Sequence, residues 1–139
     1  MYERLLVAVD HSENSERVLD AARKLAALSS NSEVWVLHLR EREIIAQLGR
    51  VPSESDTEAK AAVDAAVEAF AQAGVTARGE VRETVFGHAA REIVEDAKEH
   101  DAGVIVMGSR GRSDLSGLVL GSTAHKVIHL TDRPVLVVR

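Results

Sequence analysis

The chain has 139 residues, 28% of them charged, with a formal net charge of −5, no cysteine and 3% aromatic residues. Disulfides and thiolate metal sites are therefore excluded, and the acidic balance with few aromatic rings argues against a nucleic-acid partner. No apolar run has the length of a membrane span and no signal peptide is evident, so we expect a cytoplasmic protein.

The first third of the chain changes from strand-like to helix-like periodicity and back. Leu5–Val9 is a short continuous apolar run, typical of a strand that is buried on both faces. Helical spacing follows, with Ser12 as the expected cap, and Val34–Leu39 is the second predicted strand. The segment Arg40–Ser53 is expected to be a loop with at most one helical turn. Its charge run Arg40–Glu43 is expected to be solvated, and the alternative is a docking site.

The rest of the chain repeats this alternation three times. Residues 55–58 read Ser-Asp-Thr-Glu, which fits a capping box for an alanine-rich helix that ends at Gly74. Val75–Val85 alternates apolar and polar residues, as expected of a strand near a sheet edge. The remaining predicted elements are a helix at His88–Glu99, a strand at Gly103–Met107, a helix at Ser122–Leu130 and a strand at Val135–Val138.

The alternation of strand and helix, closed by a fifth strand, predicts an α/β fold in one domain, residues 1–139. Strands spaced in this way form a parallel sheet with helices on both faces. Open parallel sheets bind ligands beyond the carboxyl ends of their strands, where the winding direction reverses. We therefore expect the functional site in the crevice after the first and fourth strands.

A glycine-patterned loop follows the fourth predicted strand. Gly108 and Gly111 are separated by two residues, and Gly111 and Gly121 are separated by nine. Because glycine has no Cβ, the first two let backbone N–H groups approach an anion. The third precedes a helix whose free N–H groups and positive dipole end attract phosphate. The pattern is neither a Walker loop nor the dinucleotide fingerprint.

Polar side chains in and beside this loop add capacity to bind phosphate. Ser122 and Thr123 can donate hydroxyl hydrogen bonds, and Arg110 and Arg112 can donate charge-assisted ones. The same composition would also suit a plain linker. Its placement between a buried strand and a helix favours phosphate binding.

The spacing of Gly108, Gly111 and Gly121-Ser122 resembles the ATP-binding signature of the universal stress protein family. Further segments resemble the strands of that family: Val7–Ser12, Leu37–Leu39, Val104–Gly111 and Pro134–Val138. The resemblance implies a three-layer α/β/α, Rossmann-like fold of the adenine nucleotide alpha hydrolase type, with a five-stranded parallel sheet in the order 3-2-1-4-5. Two features depart from the family: Gly103 replaces a common aspartate, and residues 40–53 match nothing firmly.

The resemblance also implies ATP as the ligand, with Mg²⁺ held through the phosphates and no metal ligand from the protein. The resemblance places Ala8, Val9 and Asp10 at adenine or ribose and Leu39 near adenine. It places Met107, Gly108 and Gly111 at the ribose and inner phosphates, together with the adjoining Ser109, Arg110 and Arg112. It places Gly121, Ser122 and Thr123 at the outer phosphates.

Polar residues at three places in the chain leave alternatives open. Asp10 could cap the first helix, although nucleotide contact is favoured. His11 either approaches the nucleotide or is an exposed loop histidine. His125 and His129 are four residues apart, a spacing that could chelate a metal. No third ligand is evident for this pair, so solvated side chains are the favoured interpretation.

The last strand and the loop together set the expected function. An apolar strand at a sheet edge requires cover, and pairing of Val135–Val138 with a second copy would give a homodimer, which the resemblance also implies. The alternative is a strand masked by its own helix.

We expect a nucleotide-dependent stress-response regulator with an unidentified protein partner and at most slow hydrolysis. The alternatives are an ATPase or self-phosphorylating phosphotransferase, and a dimeric module without nucleotide.

Overall fold

The computed structural model describes residues 2–10, 12, 14–42, 55–85, 87–109 and 120–139. Strands and helices alternate along them, as the hydrophobic periodicity predicts. The elements are β1 (Arg4–Val9), α1 (Ser15–Ala26), β2 (Glu33–Arg42), α2 (Asp56–Gln72), β3 (Thr76–Val85), α3 (Ala89–Glu99), β4 (Val104–Gly108), α4 (Ser122–Leu130) and β5 (Val135–Val138).

The five strands form one parallel sheet in the order β3-β2-β1-β4-β5, which confirms the predicted topology. From β1 the chain first winds outward to β2 and β3, and then crosses back to β4 and β5. The winding direction therefore reverses between β1 and β4. In sheets of this kind, the crevice beyond the carboxyl ends of these two strands is the usual ligand site.

Two apolar clusters lie on opposite faces of the sheet. The side chains of Leu6 and Ala8 belong to the cluster under α3 and α4. Leu5, Val7 and Val9 belong to the cluster under α1 and α2. Because both faces of β1 are covered, its sequence is continuously apolar rather than alternating.

The helix ends show which local signals act as predicted. The hydroxyl of Ser55 accepts a hydrogen bond from the N–H of Glu58 at 3.1 Å, as a capping box requires. Gly74 ends α2 with φ of +77°, a conformation that favours glycine. The expectation that Ser12 caps α1 is wrong, because Asn14 occupies the N-cap position.

β2 is longer than its apolar pattern predicts. The predicted strand ends at Leu39, but parallel pairing with β3 continues to the pair Arg42 and Val85. Arg40 is consequently strand rather than loop. Its side chain is 9% exposed and forms ion pairs with Asp56 and Glu83. The expectation of a loop is therefore wrong for residues 40–42, and the expectation of a solvated side chain is wrong for Arg40. Residues 43–53 lie outside the described residues.

The two sheet edges are β3 and β5, as predicted. On β5 the side chain of Leu136 is 39% exposed, and Ile128 and Leu130 of the preceding helix are also exposed. In the part of the chain that the structure describes, no helix is both long and apolar enough to cross a membrane.

Candidate functional site

Backbone hydrogen bonds hold the two ends of the glycine-patterned loop together. The N–H of Gly121 donates to the carbonyl of Ser109 at 2.7 Å. The N–H of Ser109 in turn donates to the carbonyl of Val138 at 2.8 Å, and the side-chain amide of Asn14 donates to the same carbonyl at 3.2 Å. These bonds bring the ends of β4 and β5 and the starts of α1 and α4 to one edge of the sheet.

The amino end of α4 presents the anion-binding geometry that the sequence predicts. Gly121 is the N-cap, and the first helical hydrogen bond runs from the N–H of His125 to its carbonyl at 3.0 Å. The N–H groups of residues 122–124 come before that bond and lie in the first turn, where no intrahelical acceptor exists. The positive end of the helix dipole adds to their attraction for an anion.

The glycine at the N-cap is not required by backbone conformation. Gly121 has φ of −59° and ψ of 155°, values that any residue adopts. A side chain at this position would instead extend from the end of the helix, where the first-turn N–H groups lie. A glycine at the N-cap leaves those N–H groups uncovered, because it has no side chain.

Asp10 follows β1 directly and is half-buried at the same edge. Its backbone carbonyl accepts a hydrogen bond from the hydroxyl of Ser15 at 2.5 Å, which fixes the start of α1. Because Asn14 is the N-cap, the alternative role of Asp10 as a helix cap is wrong. Within the described ranges no donor reaches its carboxylate, so the group is available to a ligand hydroxyl.

Three of the predicted base and ribose contacts share one apolar cluster. Ala8, Leu39 and Met107 are buried together on the face covered by α3 and α4. Leu39 lies three residues before the end of β2, because that strand is longer than predicted. Arg110, Gly111 and Arg112 lie outside the described residues, so their contacts stay predictions.

A cavity that the sequence analysis missed opens beside Asp10 on the other face of the sheet. Its volume is about 340 Å³, within the lower range of small-ligand sites. The lining residues come from the end of β1, from the adjacent middle of β2, and from α1 and α2: Val9, Asp10, Ser15, Glu16, Leu19, Arg23, His38, Ala62, Ala65, Ala66, Ala69 and Phe70. The alternation along β2 could have indicated that His38 and Leu39 face opposite layers.

A second polar cluster joins β2, β3 and α3. The carboxylate of Asp96 is fully buried and accepts hydrogen bonds from the indole N–H of Trp35 at 2.8 Å and from Arg82 at 3.0 Å. The ring of His100 stacks on that of Trp35 with centroids 3.8 Å apart. Burial raises the pKa of Asp96, and Arg82, Trp35 and His100 oppose part of that increase.

This cluster lies away from the edge of the sheet where the glycine-patterned loop begins, and it does not suit a metal ion. Trp35 lies near the start of β2, and Asp96 and His100 lie at the end of α3, toward the amino ends of the strands, while Arg82 reaches them from the second half of β3. Ligand atoms of Asp96, Glu99 and His100 lie within 4.8 Å of one another, but the guanidinium of Arg82 already pairs with the central carboxylate. A metal cation at this position would have to displace the positively charged guanidinium of Arg82 from the carboxylate of Asp96.

A sequence profile of the Universal stress protein family matches residues 1–139. The chain belongs to the universal stress protein family. Among its curated relatives, universal stress protein YxiE of Bacillus subtilis is 34% identical over 154 aligned residues, with all of both chains covered. The solved structure of hypothetical protein MJ0577, from Methanocaldococcus jannaschii, superposes with a TM-score of 0.82 at 27% identity, covering 99% of this chain and 96% of that one.

Two further universal stress protein structures contain a nucleotide. The protein from Archaeoglobus fulgidus in complex with dAMP has a TM-score of 0.67 at 31% identity, covering 99% of this chain and 98% of that one. A universal stress protein in complex with cAMP has a TM-score of 0.69 at 27% identity, covering 99% and 97%. Structural relatives of this universal stress protein thus bind adenine nucleotides.

Proposed function

We propose that this universal stress protein binds ATP, with Mg²⁺ held by the phosphates, in the crevice between β1, β4 and α4, and that nucleotide occupancy regulates a stress response in the cytoplasm. The observation that carries the proposal is the amino end of α4, tied by the Gly121–Ser109 hydrogen bond to the carboxyl end of β4. This arrangement places a helix N-terminus at the switch point of a parallel sheet, where anionic ligands bind.

The phosphates would occupy the amino end of α4. Backbone N–H groups of the first turn and the hydroxyls of Ser122 and Thr123 supply the donors. Ser122 is exposed and Thr123 half-buried, so a ligand can reach both. Gly108 at the end of β4 and Gly111 in the loop are proposed to complete the cradle, with Ser109, Arg110 and Arg112 beside them.

The nucleoside would lie over the end of β1. The carboxylate of Asp10 is an acceptor suited to a ribose hydroxyl, because hydroxyls donate and ionised carboxylates accept. Ala8, Leu39 and Met107 provide apolar surface on one side, and the cavity lined by Val9 lies on the other. The complexes of relatives with dAMP and cAMP support an adenine base over other bases.

The experiment is titration calorimetry with ATP and Mg²⁺ on nucleotide-free protein. Gly121→Val should lose at least about tenfold in affinity, because its side chain would block phosphate while its backbone angles suit valine. Asp10→Ala should lose about tenfold, the value of one charge-assisted hydrogen bond. Asp132→Ala is the matched control, since it removes an equally charged, 78% exposed aspartate elsewhere and should bind as the wild type does.

Three outcomes would count against the proposal. Wild-type affinity in folded Gly121→Val would show that phosphate does not approach α4. No binding of ATP by the wild type would favour a dimeric module without nucleotide. Chromatography of the nucleotide that copurifies adds a further test: recovery of ATP supports a regulator with slow hydrolysis, whereas mostly ADP favours an ATPase.

A further inference from the structure

From the outer face of α4 we infer a second, independent site: a surface site for a divalent transition-metal ion, with the imidazoles of His125 and His129 as its two protein ligands. The two residues are four apart on a regular helix, so their side chains project from the same face in successive turns. Two histidines at this spacing bind zinc in known helical sites.

The structure places the two rings next to each other. Their centroids are 4.6 Å apart with planes inclined by 60°. Two nitrogens on a tetrahedral zinc ion lie about 3.3 Å apart when each Zn–N bond is about 2.0–2.1 Å. Because histidines four apart on regular helices bind zinc, we expect rotation about the side-chain bonds to bring two ring nitrogens to this distance. The sequence alone favoured solvated side chains over metal ligands for this pair, and the contact between the two rings now favours metal ligands.

Both imidazoles are accessible and uncommitted. His125 and His129 are exposed, and in the part of the chain that the structure describes neither side chain takes part in an ion pair or a hydrogen bond with another residue. His100 provides the contrast, because it is stacked on Trp35 and lies 3.5 Å from the carboxylate of Asp96. The pair on α4 therefore has its nitrogens free for a ligand.

The chemistry of the donors selects the class of ion. Neutral imidazole suits Zn²⁺, Co²⁺, Ni²⁺ and Cu²⁺, whereas Mg²⁺ and Ca²⁺ require oxygen ligands. His129 lies in the last turn of α4, where the negative end of the helix dipole favours a cation. With two protein ligands, water completes the coordination. The site therefore fits an exchangeable ion rather than a permanent structural one.

The metal site is distinct from the proposed nucleotide site. The midpoint between the two histidines lies about 9 Å along the helix axis from Gly121, at a rise of about 1.5 Å per residue. Metal binding joins two successive turns of α4 and should stabilise the helix whose first turn faces the crevice. Zinc binding is measured on nucleotide-free protein, so a negative result for one site does not affect the test of the other.

The experiment is a Zn²⁺ titration by calorimetry on tag-free, chelator-treated protein. We expect one ion per chain with a dissociation constant on the order of micromolar, and at least about tenfold weaker binding for His125→Ala and for His129→Ala, because each loses the advantage of chelation. Gly121→Val should bind Zn²⁺ as the wild type does. With one equivalent of Cu²⁺, the electron paramagnetic resonance spectrum should show two nitrogen ligands in the wild type and lose one in each variant.

Two controls keep the histidine chemistry matched. His88→Ala removes an exposed histidine at the start of α3 and should leave Zn²⁺ affinity unchanged. The double variant His129→Ala/Leu130→His keeps all six histidines but turns one ring by about 100° around the helix, so it should bind as weakly as the single variants. Wild-type affinity in either the double variant or His125→Ala would overturn the site, as would wild-type binding no tighter than millimolar.

Discussion

At the scale of single residues, Asp96 shows how burial competes with charge pairing. Its carboxylate has no exposed surface, yet it receives donors from Trp35 and Arg82, and His100 lies beside it. Burial favours the protonated acid, whereas these neighbours favour the anion. The outcome is a pKa raised above the ordinary value of 3.8. A carboxyl group with a raised pKa in the folded state binds its proton more tightly there than in the unfolded chain.

This direction gives a pH-dependence prediction. The contribution of Asp96 to stability is fully present below the unfolded pKa and is lost as pH rises through the folded pKa. The free energy of unfolding of the wild type, minus that of Asp96→Asn, should therefore fall as pH rises above about 4 and then become constant. Urea unfolding across this range measures it. A difference that increases with pH would instead show that Arg82 and Trp35 lower this pKa.

At the scale of elements, the packing of α2 on the sheet depends on one glycine of β3. A Cβ built on Gly79 would lie 2.7 Å from Cγ1 of Val63 in α2 and 2.8 Å from the carbonyl oxygen of Val36 in β2. Both distances are shorter than van der Waals contact. The helix can approach this part of the sheet only because the strand has no side chain at that point.

We therefore predict that Gly79→Ala destabilises the fold by about 1–3 kcal/mol, the usual cost of overpacking a core. Urea denaturation would measure the change, with circular dichroism to verify the fold. Adding Val63→Ala removes one of the two clashing groups, so the double variant should lose less than the sum of the single losses. Strict additivity or an unchanged midpoint for Gly79→Ala would show that α2 does not contact the strand so closely.

At the scale of the whole molecule, the end of the chain carries a concentration of exposed apolar side chains. Among the described residues, three of the six exposed large apolar side chains lie within residues 128–136: Ile128, Leu130 and Leu136. Among the described strands, β5 pairs only with β4, and none of them covers its other edge. An open apolar edge invites pairing, and a two-fold axis would let two copies cover each other.

We propose, on this basis, a homodimer through Val135–Val138, and predict that Leu136→Lys converts it to a monomer. A charge at the centre of the proposed interface would be desolvated without a partner, which opposes association. Light scattering after size-exclusion chromatography measures the mass. Leu28→Lys is the matched control, because Leu28 is 82% exposed at the end of α1 and should leave the dimer intact. A monomeric wild type, or a dimeric Leu136→Lys, would contradict the proposal.

The sequence by itself determined the order of the elements, their approximate ends and the helix at which we propose that phosphate binds. Each of these depends on neighbours along the chain: the continuous apolar runs of β1 and β4, the capping hydroxyl of Ser55, and Gly121 before α4. The strand order came from the spaced glycine motif through its family resemblance, since periodicity alone does not order strands. Local physics and one long motif were sufficient for the fold class and for the edge of the sheet where we propose the site.

Only the tertiary structure decided which charged and polar groups are buried. Arg40 reads as part of a solvated charge run, but its acidic partner Glu83 is 43 residues away in sequence and is brought beside it by the pairing of β2 with β3. His38 lines a cavity because residues of α1 and α2 lie on the same face of the sheet beside it. The burial of Asp96 likewise depends on Arg82 from another element. Such groups are stabilised by partners that are distant in sequence, so composition and periodicity carry no signal for them.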